Sequence, residues 1–452
     1  MTRLTRPQAG PFREYHFPKF ERRSLENGMQ IIVAPFPKLP VITVLAVIEA
    51  TAIADPKGKE GLAEITAQAL RDGTVYIDGA TLTLELEKLG TSLEAGANWD
   101  STVASLTVLS DKIERAFALF SSVIISPAFR AEDVARLRSE RLAERVQILD
   151  EPRGLAEESF ERFLYADTSR YSEPMSGSSA SVSAITRDDV IAFHAANYSP
   201  DAMTLILVGD LSVDEGVRLA SDAFGPWSGK QKTKETAVDL PARNGRASQI
   251  VSKADAAQSE LRIGHVGVPR SHPDYFPIVV MNAVLGGLFS SRINLNLREA
   301  HGYTYGASSY FDWRRQSGPF VISTAVQSEV TGAAISETLS EIDRMRQEEI
   351  GEEELSLATS YLEGVFPIRY ETTGAIAGAL ANMVTFSLPE DYYDTYRSQI
   401  AGVTTHDVLQ AAKSHVRPDE LQVVVVGNAE ILKPQLEGAN VGSTDVLETP
   451  TP

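Results

Sequence analysis

Residues 61 to 74 read Gly-Leu-Ala-Glu-Ile-Thr-Ala-Gln-Ala-Leu-Arg-Asp-Gly-Thr. On a helix, positions i, i+3 and i+4 share one face. Here that face carries Glu64, Ala67 and Gln68. Histidine, glutamate and histidine at this spacing, as in His-x-x-Glu-His, would hold Zn²⁺ through two imidazoles while the carboxylate activates water. Alanine cannot act as a base, and an amide is a poor zinc ligand. Zinc-bound water is therefore not the expected chemistry at this position. Nor does local spacing offer a second zinc site. The histidines are His16, His194, His265, His272, His301, His406 and His415, and none pairs at i, i+3 or i, i+4. Most are expected at the surface or as caps. No cysteine is present, which excludes disulfides, thiolate zinc sites and cysteine nucleophiles. A serine hydrolase is disfavoured too, since no Gly-x-Ser-x-Gly elbow occurs. Gly286, Gly287 and Gly302 lack the spacing and the lysine of a phosphate loop and are expected to end helices.

The elements that position this face follow from pattern. The chain has 452 residues, too many for one core. An internal repeat divides it. Asp189, Val190, Pro200, Asp201, Val208 and Gly209 recur as Asp407, Val408, Pro418, Asp419, Val426 and Gly427, with no gap. Each copy reads as an amphipathic helix, a Pro-Asp turn and a buried apolar strand. The expected fold is α+β in two similar domains, each an antiparallel-rich sheet packed with helices on one face. The expected division is 17–226, a linker at 227–246, 247–436, and a tail at 437–452 that is disordered from Asn440 onward. Asn27-Gly28 predicts a hairpin. Strands are predicted at 41–50, 102–110 and 261–268, and helices from about 61, at 81–89, 111–125, 131–149 and 275–285.

Hydrophobic content is 43% and formal net charge −19. That balance fits a globular protein and argues against nucleic acid or an anionic membrane as partner. No apolar run approaches the roughly 18 residues of a spanning helix. Residues 1–20 lack a signal peptide's apolar core, so a cytoplasmic or periplasmic location is expected.

Taken together, several motifs resemble the pitrilysin and mitochondrial processing peptidase family of His-x-x-Glu-His zinc metallopeptidases. They are the Leu25-x-Asn27-Gly28 hairpin, the Gly61-Leu62-Ala63 to Gly73-Thr74 frame and the paired Pro-Asp-to-Gly segments. Leu285-Gly286-Gly287, Ser290-Ser291-Arg292 and the run Leu297-Arg298-Glu299-Ala300-His301-Gly302-Tyr303-Thr304-Tyr305 complete the likeness. It spans roughly residues 20 to 430. The resemblance places the first metal histidine at Glu64, the base at Ala67, the second histidine at Gln68 and the third ligand at Glu144. One carboxylate does not hold zinc, and Glu144 is expected to be a solvated helix residue. No cofactor is therefore expected in this chain, with zinc expected in a partner. The resemblance also places at Arg298 and Tyr305 the arginine and tyrosine of members that assist catalysis. A guanidinium fork and a phenol can bind a peptide carbonyl and stabilise its oxyanion. The Gly96–Asp100 segment lies where family members pair an edge strand with an extended substrate. The implied role is the zinc-less subunit of a heterodimeric peptidase. Its implied partners are a homologous zinc-bearing chain and peptide substrates, within a closed chamber. A catalytically inactive scaffold or peptide-binding protein of the same fold is the alternative.

Overall fold

The computed structural model describes residues 14–231 and 241–449. Two six-stranded sheets organise it. The first contains β1 (Glu21–Ser24), β2 (Gln30–Pro35), β3 (Val41–Ile48), β4 (Glu94–Ala97), β5 (Thr102–Leu109) and β6 (Met203–Gly209), in the order β1-β2-β6-β3-β5-β4. The second contains β7 (Ala247–Ser252), β8 (Ser259–Val266), β9 (Ala307–Phe311), β10 (Pro319–Val326), β11 (Gln422–Gly427) and β12 (Ser443–Glu448), in the order β12-β7-β11-β8-β10-β9. β2 runs parallel to β6, and β7 runs parallel to β11 and β12, while the other pairings are antiparallel.

Local sequence accounts for much of this. The Asn27-Gly28 turn joins β1 to β2, with Gly28 at φ 95°. The repeat forms two matching units. Helices Arg187–Asn197 and Thr405–His415 begin with the same capping box, Thr186 with Asp189 and Thr404 with Asp407. Each unit then makes a Pro-Asp 3-10 turn and enters the fully buried strand β6 or β11. Side chains of β5 alternate, with Ala104, Leu106 and Val108 buried.

The two halves are interlocked by an exchange of helices. On β2, β3 and β6, the residues Ile31, Val33, Val44, Ala46, Leu205 and Leu207 face helices of their own half. These are α1 (Leu62–Ala69), α2 (Gly79–Lys88) and α3 (Ile113–Ile125). The alternate residues, including Ile32, Leu45, Val47 and Ile206, pack in the cluster of Ile376, Ala377 and Leu380. Those three belong to the Thr373–Thr385 helix of the second half. The reciprocal holds for the second sheet. Val251, Val321, Val424 and Val426 pack with Leu155, Phe160 and Phe163 of the helix that follows α4 (Ala131–Asp150). This is α5 (Pro152–Leu164). Each sheet thus has its own helices on one face, as expected, and one helix from the opposite half on the other. Coverage of both faces explains why β3, β6 and β11 read as nearly continuous apolar runs. Ion pairs secure the exchange: Glu157 of α5 meets the buried Arg262 at 3.2 Å, and Glu161 meets Arg314.

Two expectations change. The tail is not disordered from Asn440, because Ser443–Glu448 pairs with β7 as an edge strand. Its backbone finds a ladder there, and Val441 is buried just before it. The expected linker extends over residues 232–240, which lie outside the described residues. Finally, the Tyr275–Ala300 stretch is long and apolar enough by composition to cross a membrane, although its helix is broken at residues 288–291. However, much of it is buried inside the fold, which suits core helices.

Candidate functional site

The Glu64 face is built from three elements. Helix α1 starts at Gly61, whose φ of 96° is left-handed. A Cβ there would collide with the Ser176 carbonyl, so glycine is required for both conformation and space. Asp55, fully buried, accepts the backbone N–H groups of Gly61 and Ala63 at 2.8 Å each. It also pairs with Arg170 at 3.1 Å. A side chain from outside the helix therefore satisfies its orphan donors and complements its dipole.

On the outward face, Ala67 is buried, and Glu64 has its carboxylate committed. It accepts Gln68 Nε2 at 2.8 Å, the backbone N–H of Ala97 on β4 at 2.7 Å, and an Arg141 nitrogen at 3.5 Å. Arg141, on α4, also reaches Glu144 at 2.8 Å. Glu144 is 53% exposed, whereas Arg141 and Glu64 are nearly buried. The two carboxylates at the first and third metal positions are thus joined by a guanidinium. Three donors on Glu64, an amide turned with its nitrogen inward and a fixed cation make an internal ion-pair network. They do not fit zinc, which takes imidazole, thiolate or free carboxylate lone pairs. Sequence reasoning did not single out Arg141. The available signal was its position three residues before Glu144, which faces it toward α1.

The second constellation lies on different elements. Arg298 sits in the helical turn Leu295–Ala300 with its side chain 33% exposed. Its guanidinium lies 4.5 Å from the Phe289 ring centroid, and its Nε is 3.5 Å from Glu299. Tyr305 is 92% exposed in the loop before β9. Among the described residues no contact joins Arg298 to Tyr305, and the Tyr305 hydroxyl makes no hydrogen bond. Their supports are nonetheless linked. Gly302 N–H donates to the Arg298 carbonyl at 3.1 Å and Tyr303 N–H to the Leu297 carbonyl at 2.8 Å. The buried Asn294 donates to the Phe289 carbonyl at 2.6 Å and accepts the Ala307 N–H at 3.0 Å. One amide therefore ties the loop under Arg298 to the strand that follows Tyr305. Phe289 and Asn294 were not foreseen, because their roles depend on contacts across this loop.

Most of the histidines are exposed or only partly buried, as expected. His265 and His415 are buried, and His194 is half-buried. Burial pushes His194 down to about 4 and His265 down to about 3. His272 and His415, far apart in sequence, come together with ring centroids 4.7 Å apart.

Two family descriptions match this chain: "Insulinase (Peptidase family M16)" over residues 36–177 and "Peptidase M16 inactive domain" over residues 184–362. An uncharacterized zinc protease of Rickettsia bellii is 23% identical over 344 residues, covering 76% of this chain and 82% of that protein. The "Non-peptidase homolog YmxG" of Helicobacter pylori is 22% identical over 375 residues, covering 82% and 85%. The crystal structure of a peptidase M16 inactive domain from Pseudomonas fluorescens matches with a TM-score of 0.85 at 27% identity. It covers 90% of this chain and 98% of that one.

Proposed function

Since the chain belongs to the M16 peptidase family, we propose that it is the zinc-less subunit of a two-chain zinc peptidase that cleaves peptides in a closed chamber. The observation that carries this reading is the contrast between the two constellations. At the metal positions, the Glu64 carboxylate is held by Gln68, Ala97 and Arg141, and Arg141 also pairs with Glu144. At the other, Arg298 is partly open and Tyr305 almost fully so, with its hydroxyl unengaged. Folding stability does not require an exposed tyrosine there. A carbonyl-binding role does.

In this reading, a homologous chain with an intact His-x-x-Glu-His supplies the metal and the base. This chain supplies Arg298 as a fork of donors and Tyr305 as a hydroxyl donor to the substrate carbonyl. Both interactions strengthen as negative charge develops on that oxygen, so they favour the transition state over the bound peptide.

The test is reconstitution. The isolated chain is expected to cleave no peptide, and cleavage is expected on mixing with the zinc-bearing homologue. In the complex, Arg298→Ala is expected to lower kcat about 10²–10³-fold and Tyr305→Phe by a smaller factor. A second reading, an inactive scaffold or peptide-binding protein, draws support from the non-peptidase name of the Helicobacter pylori relative. Unchanged turnover in both variants, with the complex intact, selects that alternative.

A further inference from the structure

Outside the site above, three groups with metal-binding chemistry converge where the loop after β8 meets the end of the Thr405–His415 helix. His272 and Asp274 lie at the start of the Tyr275–Asn282 helix, and His415 ends the other. Their ligand atoms all lie within 4.8 Å of one another. His415 is about nine-tenths buried, with Nε2 2.7 Å from Asp274 Oδ2. The His272 ring packs edge-on against the His415 ring. Among the described residues, no lysine or arginine ion-pairs with Asp274.

We propose that His272, Asp274 and His415 bind one divalent cation of the zinc class, which staples the start of the Tyr275–Asn282 helix to the end of the Thr405–His415 helix. The donor set is two imidazoles and one carboxylate, a combination zinc accepts with water completing a tetrahedron. Binding requires modest adjustment. Ligand atoms about 2.0–2.2 Å from zinc sit roughly 3.3 Å apart in a tetrahedron. The His415–Asp274 pair is already closer than that, and its shared proton leaves when the metal arrives. His272 Nδ1 accepts the Asp274 backbone N–H at 3.1 Å. That N–H lies in an exposed turn, so water can replace the ring when the nitrogen lone pair turns to the metal. The staple would join segments 141 residues apart in sequence.

Such a site is distinct from the Glu64 face, and the proposal stands or falls independently of any peptidase role. The experiment uses the full chain, stripped with chelator and titrated with zinc chloride by calorimetry in a non-coordinating buffer. One ion per chain is expected, with a raised melting temperature. His415→Ala and His272→Ala should each weaken binding by about 100-fold or more, by analogy with the 10–100-fold cost of losing a supporting group. His406→Ala and Glu64→Ala should leave it unchanged. Circular dichroism and His415→Gln, which keeps a polar side chain, guard against loss of fold. The proposal is overturned by the absence of saturable binding up to about 100 times the protein concentration. It is equally overturned by binding that survives both histidine substitutions, or by binding lost with Glu64→Ala instead.

Discussion

If Arg141 substitutes for a metal in holding Glu64 and Glu144 together, then restoring the ligands alone should not restore zinc. The variant Glu64→His, Ala67→Glu, Gln68→His recreates His-x-x-Glu-His on α1, with Glu144 still on α4. In that variant Arg141 keeps its 2.8 Å pair with Glu144. A zinc ion bonded to Glu144 would then lie roughly 5 Å from the guanidinium charge. At an effective dielectric of about 20, a dication and a monocation at that distance repel by about 7 kcal/mol. Arg141 can swing outward and relieve part of this, at the loss of its own pairing. We therefore expect the triple variant to bind zinc at least about 100-fold more weakly than a quadruple variant that adds Arg141→Ala, a difference of about 2.7 kcal/mol. Both should carry His415→Ala, so that zinc at the His272–Asp274–His415 cluster is not counted. Competition against a chromogenic chelator measures the affinities. A melting curve checks the fold, because a glutamate at the buried Ala67 position costs about 1–3 kcal/mol. Equal affinities within threefold would refute the electrostatic argument. A folded quadruple variant that binds no zinc would refute the placement of the metal positions on α1 and α4.

Other consequences are simpler to test. Gly61→Ala should destabilise the chain by about 2–3 kcal/mol in urea, since φ is 96° and a Cβ strikes Ser176; a loss below about 0.5 kcal/mol would contradict this. Thr186→Ala and Thr404→Ala should each cost about 1 kcal/mol, because they remove the same capping box from the two repeats; markedly unequal losses would undercut their equivalence. Acid should weaken the fold through His194 and His265. Burial lowers both in the folded chain, whereas the unfolded chain protonates near 6.5. The unfolded state then binds more protons, so stability is intact above about pH 6.5 and falls as pH drops toward about 4 and about 3. Each group contributes on the order of 3 kcal/mol across its window. His194→Phe should flatten that slope, and unfolding free energies that stay level between pH 6.5 and 4.5 would rule the mechanism out.

Much of the architecture and one site were legible before the fold. The 218-residue offset between Asp189 and Asp407 identified two matching units, and both open with the same cap. The Gly61 and Gly73 frame marked a short helix, bounded in the structure by positive-φ glycines. The substitution of Glu64, Ala67 and Gln68 for metal ligands is a matter of residue type alone. These are local properties, set by backbone conformation and side-chain periodicity over a few residues.

What the tertiary structure decided is which surfaces meet. Periodicity says that α5 and the Thr373–Thr385 helix have apolar faces, but carries no address for the sheet each will cover. Exchange between halves leaves the amphipathic pattern unchanged. The same holds for β12, whose exposed sequence gains its ladder from the edge of β7. It holds for Arg141, an ordinary helix arginine until α1 and α4 bring two carboxylates to it. It holds most plainly for His272, Asp274 and His415, which no short-range spacing connects. Residue types and local periods determined what each segment of this protein can offer. Long-range packing, driven by burial of faces that many partners could satisfy, determined what each offer meets.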